Sequence, residues 1–230
     1  MDFGQQQQFL DKTVIFVDPS AGEIFFDNLK NSNIVEEVYF DPHFLNWDLA
    51  LDALQHNTSV THCSISALIE PELTLEAVAT SLSFNKIKQL TLTLNLESPP
   101  DQEPIISKTA NAFRTNTSLE DFSINSNGVN MIDKIILESL KVHPTLKCLG
   151  IEDMELSLSK VELIREFLQM NKNITTLIIY GIPEHYGVIE NIVEMTRSNL
   201  SFTRLDLGSG FLTGNMIQAM NGMMHTDFRL

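Results

Sequence analysis

A chain of 230 residues, 43% of them hydrophobic, can bury one sizeable core. Its 15 Lys and Arg against 30 Asp and Glu leave a formal charge of −15, which argues against a nucleic-acid or anionic-membrane surface, since both need a positive footprint. No run approaches the roughly 18 apolar residues of a membrane span, and MDFGQQQQFLDK at the start lacks the basic and long apolar regions of a secretory signal.

Residues 13–30 predict a strand in TVIFVD, a break at Pro19, and a helix through Ile24, Phe25 and Leu29. From there the chain repeats itself. NTSVTHCSIS starts at Asn57, NTSLEDFSIN at Asn116 and NKNITTLIIY at Asn171. Aligned on apolar residues at positions 1, 4 and 6, the phrase yields seven triplets. They are Val35, Val38, Phe40; Val60, Cys63, Ile65; Ile87, Leu90, Leu92; Leu119, Phe122, Ile124; Leu146, Leu149, Ile151; Ile174, Leu177, Ile179; and Phe202, Leu205, Leu207. Successive starts lie 25, 27, 32, 27, 28 and 28 residues apart, and that regularity marks a repeat architecture.

Positions 4 and 6 alternate with polar residues, which is strand periodicity. Between triplets the period becomes helical, at Leu75, Val78, Ala79, Leu82; Val161, Ile164, Leu168; Ile189, Ile192, Val193; and Met216, Met220, Met223. Each unit therefore reads as strand, loop and helix. One unit cannot bury its own apolar faces, but a stack of them buries a continuous core. The long third unit contains LESPPDQEP (96–104), expected to protrude as a loop. The Asn-x-Ser/Thr sequences at Asn57, Asn116, Asn173 and Asn199 read as by-products of the repeat. Two cysteines, Cys63 and Cys148, fit a reducing compartment; Cys63 is expected protected and Cys148 accessible.

This pattern resembles the leucine-rich repeat, in the 28-residue style of ribonuclease-inhibitor-like proteins, most clearly in LDLGSGFLTGNMIQAM (205–220). The resemblance covers residues 32–230, about seven units with a partial eighth at the C-terminus. It leaves 1–31 as a tail and a capping strand–helix unit. The implied fold class is α/β: a solenoid with a curved parallel sheet inside and helices outside. The family places Asn or Cys at position 9. Here Asn95 and Asn127 match, while His43, Leu68, Met154, Ile182 and Gly210 do not, so irregular loops are expected. HTDFRL (225–230) restarts the phrase with His225 in the Asn slot and Phe228 at position 1. The expectation there is that the native chain continues, or that unusual packing or a partner covers the last unit.

Catalytic signals are weak. His143 and His225 occupy the Asn slot and His56 abuts it, so they read as turn residues. His62 neighbours Cys63 in sequence, but on a strand the two point to opposite faces, which disfavours a Cys–His nucleophile. There is no His-Glu-x-x-His, Cys-x-x-Cys or Walker-type loop. GSGFLTG (208–214) departs from the dinucleotide pattern and reads as a repeat loop. No metal or cofactor is expected.

Function should then sit at positions 3, 5 and 7, which point out of the inner sheet face. Most are small or polar. Tyr39 stands near one end; Ile178, Tyr180 and Arg204 stand near the other with Glu152. Asp121 and Asp206 add charge. Tyr and Arg are the types enriched at binding hot spots, and the net acidic face suits a protein partner with a basic or mixed-charge surface. The resemblance implies a non-catalytic, monomeric binding module of the cytoplasm. Its relatives by fold include enzyme inhibitors, actin-filament-end proteins and repeat effectors that intracellular bacteria deliver into host cells; the divergent, Asn-rich units are most similar to the last. Steric occlusion of a partner is the implied mode. The alternative is a GTPase-activator-like role with a presented Arg204, Arg114 or Arg197.

Overall fold

The computed structural model describes residues 14–41, 43, 46–67, 71–94, 103–126, 131–183, 188, 191, 194, 201–207 and 228–229. The chain divides into two compact units, 1–119 and 120–230. The expected helices through Ile189 and Met216, the 96–104 loop up to residue 102, and Asn95, Asn127, Leu68, Gly210 and His225 lie outside the described residues.

In the first unit strand and helix alternate: β1 (Val14–Val17), α1 (Glu23–Asn31), β2 (Glu37–Phe40), α2 (Trp47–His56), β3 (His62–Ala67), α3 (Pro71–Ser83), β4 (Gln89–Leu94) and α4 (Glu103–Thr115). The strands lie side by side in chain order and all parallel. Consecutive helices pack on one another along the row. The second unit continues with β5 (Asp121–Ser126), α5 (Met131–Leu140), β6 (Cys148–Leu156), α6 (Leu158–Met170), β7 (Thr176–Pro183), β8 (Arg204–Leu207) and β9 (Phe228–Arg229). Its strands are likewise parallel neighbours in chain order. Each unit is thus an α/β solenoid of the leucine-rich-repeat type.

The register follows the sequence repeat residue for residue. Val38 stands opposite Cys63 and Cys63 opposite Leu90. Phe122, Leu149, Leu177 and Leu205 form the matching row in the second unit. Every residue of the seven triplets is buried. Ile15 and Val17 pair with Val38 and Phe40 and are buried too, so β1 uses the same two inward positions. Among the helical positions, Leu75, Val78, Ala79, Leu82, Val161, Ile164 and Leu168 are all buried. In α1 the buried face is Phe25, Phe26 and Leu29, whereas Ile24 is 57% exposed. That corrects the expected face by one residue: Phe25 and Leu29 are one turn apart, and Phe26 widens their stripe on the side away from Ile24.

The repeated asparagine has a structural reason. Asn57, Asn116 and Asn171 each follow a helix and are buried. The Asn57 amide nitrogen donates to Leu29 O at 2.7 Å and Ser32 O at 2.9 Å, at the end of the preceding helix. Its oxygen accepts from the N–H groups of Ser59 and Val60. Asn116 donates to Leu82 O at 2.7 Å and accepts from Ser118 and Leu119. Asn171 donates to Leu140 O at 2.9 Å and accepts from Asn173. One side chain thereby satisfies a terminal helix carbonyl and the turn that starts the next strand. The hydroxyl before the triplet adds a second tie: Ser59, Ser118 and Ser201 donate to the carbonyls of Val35, Ile87 and Ile174, the first triplet residues of the preceding units.

Three units replace the asparagine. Ser32 accepts from Ile34 and Val35 but has no amide to donate. Phe84 fills the slot before Ile87, and Lys86 supplies the donor instead: its Nζ bonds Leu54 O and Asn57 O, the carbonyls equivalent to those that Asn57 takes. Burial lowers the Lys86 pKa. His143 is buried; its Nδ1 lies 3.5 Å from Thr145 Oγ1 and its Nε2 has no hydrogen-bond partner. Burial pushes its pKa down to about 4.

Phe228 pairs with Leu205. It therefore takes position 4 of its strand and not position 1 as expected. Arg229 pairs with Asp206 in turn, so the two residues take positions 4 and 5.

Two expected outcomes follow from the slot. Asn116→Ala leaves buried carbonyl and amide groups unsatisfied and should cost about 3 kcal/mol in urea denaturation, against under about 0.5 kcal/mol for the exposed neighbour Thr117→Ala. The His143 imidazole is depressed in the folded state. The unfolded chain therefore binds the extra proton below about pH 6.5, and stability falls as pH drops from there towards about 4. His143→Asn should remove this loss, on the order of 2–3 kcal/mol at pH 4, measured as the difference between the two proteins' pH–stability curves.

Candidate functional site

Side chains at positions 3, 5 and 7 lie on the sheet face that the helices leave open. On the second unit they form three rows. Asp121, Cys148, Thr176 and Arg204 align across β5 to β8, as do Ser123, Gly150, Ile178 and Asp206. Asn125, Glu152 and Tyr180 align across β5 to β7. The structure thus brings Asp121, Glu152, Ile178, Tyr180, Arg204 and Asp206 onto one face. Tyr180 is 45% exposed, Glu152 is exposed, and Ile178 is half-buried.

Arg204 is not freely presented. Its Nη2 donates to Asp206 Oδ2 at 2.7 Å, two residues along the same strand. Side chains at i and i+2 share a face, so this pairing is local in origin. Cys148, expected to be accessible, is half-buried. Burial pushes its thiol up to about 12, and the Asp121 carboxylate beside it, which accepts the thiol hydrogen bond, acts in the same direction; Arg204 opposes them. Cys63 is buried, as expected, and burial pushes it up to about 12 as well. With both thiols held this high, neither is an anion at neutral pH, the form in which a thiol acts as a nucleophile.

Gly150 is the exception on the open face, because it is buried. A Cβ there would stand 2.3 Å from Ser123 Oγ and 3.0 Å from Ser123 Cβ. The serine therefore leans over the glycine and leaves the middle row low between Ser123 and Ile178.

On the first unit the open face carries an aromatic pair. Phe16 stands opposite Tyr39 in register. The rings stack with centroids 5.0 Å apart and an interplanar angle of 27°. Phe16 is 68% exposed and Tyr39 37%. The Tyr39 hydroxyl donates to Glu37 Oε2 at 3.3 Å, and burial together with the Glu37 charge raises the phenol pKa. Beyond Tyr39 the face drops into a shallow depression of about 30 Å³ lined by Glu37, Tyr39, His62, Ser64, Gln89 and Thr91, with Val38 and Cys63 beneath. His62 is on the open face with its Nδ1 2.8 Å from Thr61 Oγ1, while Cys63 points into the core.

Sequence reasoning selected Tyr39 but missed Phe16. The signal was available: Phe16 sits between inward Ile15 and Val17 as Tyr39 sits between Val38 and Phe40. Reading β1 only as a cap left its outward positions unread. Among the described residues no three His, Cys, Asp or Glu converge as metal ligands, and no helix is long and apolar enough to cross a membrane.

No protein-family model matches this chain, and no curated protein matches it. The resemblance to leucine-rich repeats therefore stands on the repeat and its geometry. Among solved structures, a chain of "Leiomodin-1 Actin-Binding Site 2 (ABS2)" is similar at 16% identity, over 63% of this chain and 84% of that one, with a TM-score of 0.45. Likeness that loose carries no argument about what this chain binds.

The close approach at Gly150 is testable by stability. Rotation of Ser123 relieves the contact to Oγ but not that to its Cβ. Gly150→Ala should destabilise by about 1 kcal/mol, and adding Ser123→Gly should recover most of the loss in thermal unfolding, a coupling that distant substitutions do not show.

Proposed function

We propose that the chain is a non-catalytic binding module that holds a protein partner on its open sheet face. The observation that supports this best is the pairing of Glu152 with Tyr180 across β6 and β7, both exposed, beside Ile178 and the Arg204–Asp206 ion pair. An aromatic ring and an aliphatic side chain rimmed by charge can be desolvated at the centre and satisfied at the edge. Asp121, Glu152 and Asp206 outnumber Arg204 on this face, which favours a partner with a basic or mixed-charge surface. On the first unit, taken by itself, Tyr39 is the corresponding exposed candidate. Such a module regulates by covering part of its partner, and that requires no reactive group of its own; the raised thiols agree with this. An arginine-presenting activator is less favoured at Arg204, whose guanidinium is held by Asp206; Arg114 is exposed in the last turn of α4, and Arg197 lies outside the described residues.

The test begins with capture of a partner on the immobilised chain and its identification, followed by calorimetry. Tyr180→Ala should cost on the order of 2 kcal/mol in affinity, the usual hot-spot threshold, with little change in melting temperature. Arg204→Ala should also weaken binding. If Ser64→Arg abolishes binding while those two leave it intact, the first unit carries the affinity. If none of the three changes it, the open face is not the binding surface.

A further inference from the structure

The Phe16–Tyr39 stack and the depression beside it have a more specific use than general adhesion. Phe16, on β1, covers one side of the Tyr39 ring. The other side of that ring faces β3 and, beyond it, β4, where outward Ser64 and Thr91 are small and leave the depression open. Glu37 stands at the edge of the same depression, and its carboxylate accepts only the weak 3.3 Å bond from Tyr39 among the bonds described. Gln89 and His62 complete the wall. The site therefore offers an aromatic face, a carboxylate and polar groups around a shallow space of about 30 Å³.

The one cation whose charge reaches the floor of the depression among the described interactions is Lys86, which acts on Cys63 and is bonded to the Leu54 and Asn57 carbonyls. The outward positions of β1 to β4 carry Asp18, Glu37 and Asp41 and no Lys or Arg. Asp18 accepts from Ser20 and Asp41 lies 3.1 Å from the His43 ring, so Glu37 is the carboxylate that faces the depression. A planar cation that stacks on a ring while its edge donates to a carboxylate is a guanidinium; an ammonium is a point charge without a stacking face.

We propose that this depression is a subsite for an arginine side chain of a protein partner, with the guanidinium laid on the free face of Tyr39 and paired with Glu37. Phe16 acts from behind: it holds the Tyr39 ring upright over the depression. This inference rests on the open sheet face being a binding surface, yet it is tested without the partner, so its failure and that of the Tyr180 series are distinguishable.

The experiment titrates the full chain with the blocked peptide acetyl-Ala-Arg-Ala-amide, following by NMR the Tyr39 ring protons and the backbone amides of Ser64 and Thr91, which remain the readout in the Tyr39→Leu variant. The same titration with acetyl-Ala-Lys-Ala-amide and with free arginine provides the comparison. The arginine peptide should shift the Tyr39 ring and bind several-fold tighter than the lysine peptide. Tyr39→Leu should weaken it about five-fold, the scale of one exposed cation–π contact. Glu37→Gln should weaken it several-fold, and Tyr180→Leu should leave it unchanged. Tyr39 and Tyr180 are exposed and Glu37 is half-buried, and the folded state of all three variants is checked by circular dichroism. Equal binding of the two peptides, or binding that survives Tyr39→Leu, would show only the general field of an acidic chain and overturn the proposal. Tighter binding of free arginine than of the blocked peptide would overturn the partner assignment in favour of a small-molecule site. Absence of any shift of the Tyr39 ring would remove the subsite altogether.

Discussion

The hydrogen bonds made in the slot after the helices, by a buried asparagine in three units and by partial substitutes in three others, are the constraint on which the rest of the structure depends. A helix ends with carbonyls that no residue of its own can satisfy. In a stacked repeat those carbonyls are covered by the next unit, so water cannot serve them. Asn57, Asn116 and Asn171 supply the missing donor and, with the same side chain, hold the turn that sets the next strand's first residue. The substitutes are informative because each does part of the task. Ser32 accepts without donating, Lys86 donates from a neighbouring position, and His143 carries one ring nitrogen without a partner. The asparagine is thus two functions in one side chain, and the chain tolerates losing one of them at a time.

With the turn fixed, strand register follows. Each strand begins at the same point relative to its neighbour, so inward residues stack on inward residues and outward on outward. A slip of one residue would exchange the faces entirely. The open face is consequently free of packing duties, and its composition can differ from strand to strand. In the first unit it passes from an aromatic pair to Ser and Thr; in the second it gathers a tyrosine, an isoleucine and an ion pair around a glycine that Ser123 crowds. Function on such a scaffold is a matter of surface shape and charge. The two cysteines illustrate the separation: one is core, the other leans on Asp121, and neither is ionised at neutral pH.

Most of the fold was legible because period carries it. Alternation at positions 4 and 6, followed by 3.6-residue spacing, specifies strand and helix without reference to anything distant. All seven triplets are buried where the pattern put them. The misreadings came where local pattern underdetermines the answer. Ile24 and Phe26 are both apolar neighbours of Phe25, and only the direction of the packed sheet decides which is covered. Phe228 fits two positions of the template, and pairing with Leu205 selects one.

The sequence by itself determined the unit, its repeat length, its inward residues and the identity of the outward ones, because each depends on residues within one period of the chain. The tertiary structure alone decided what those outward residues meet. That Arg204 spends its guanidinium on Asp206, that Ser123 closes over Gly150, and that Phe16 stacks on Tyr39 all depend on distances between side chains on the finished sheet. Strand pairing brings residues more than 20 positions apart in sequence to within about 5 Å, and nothing in the local pattern records which rotamers they then adopt.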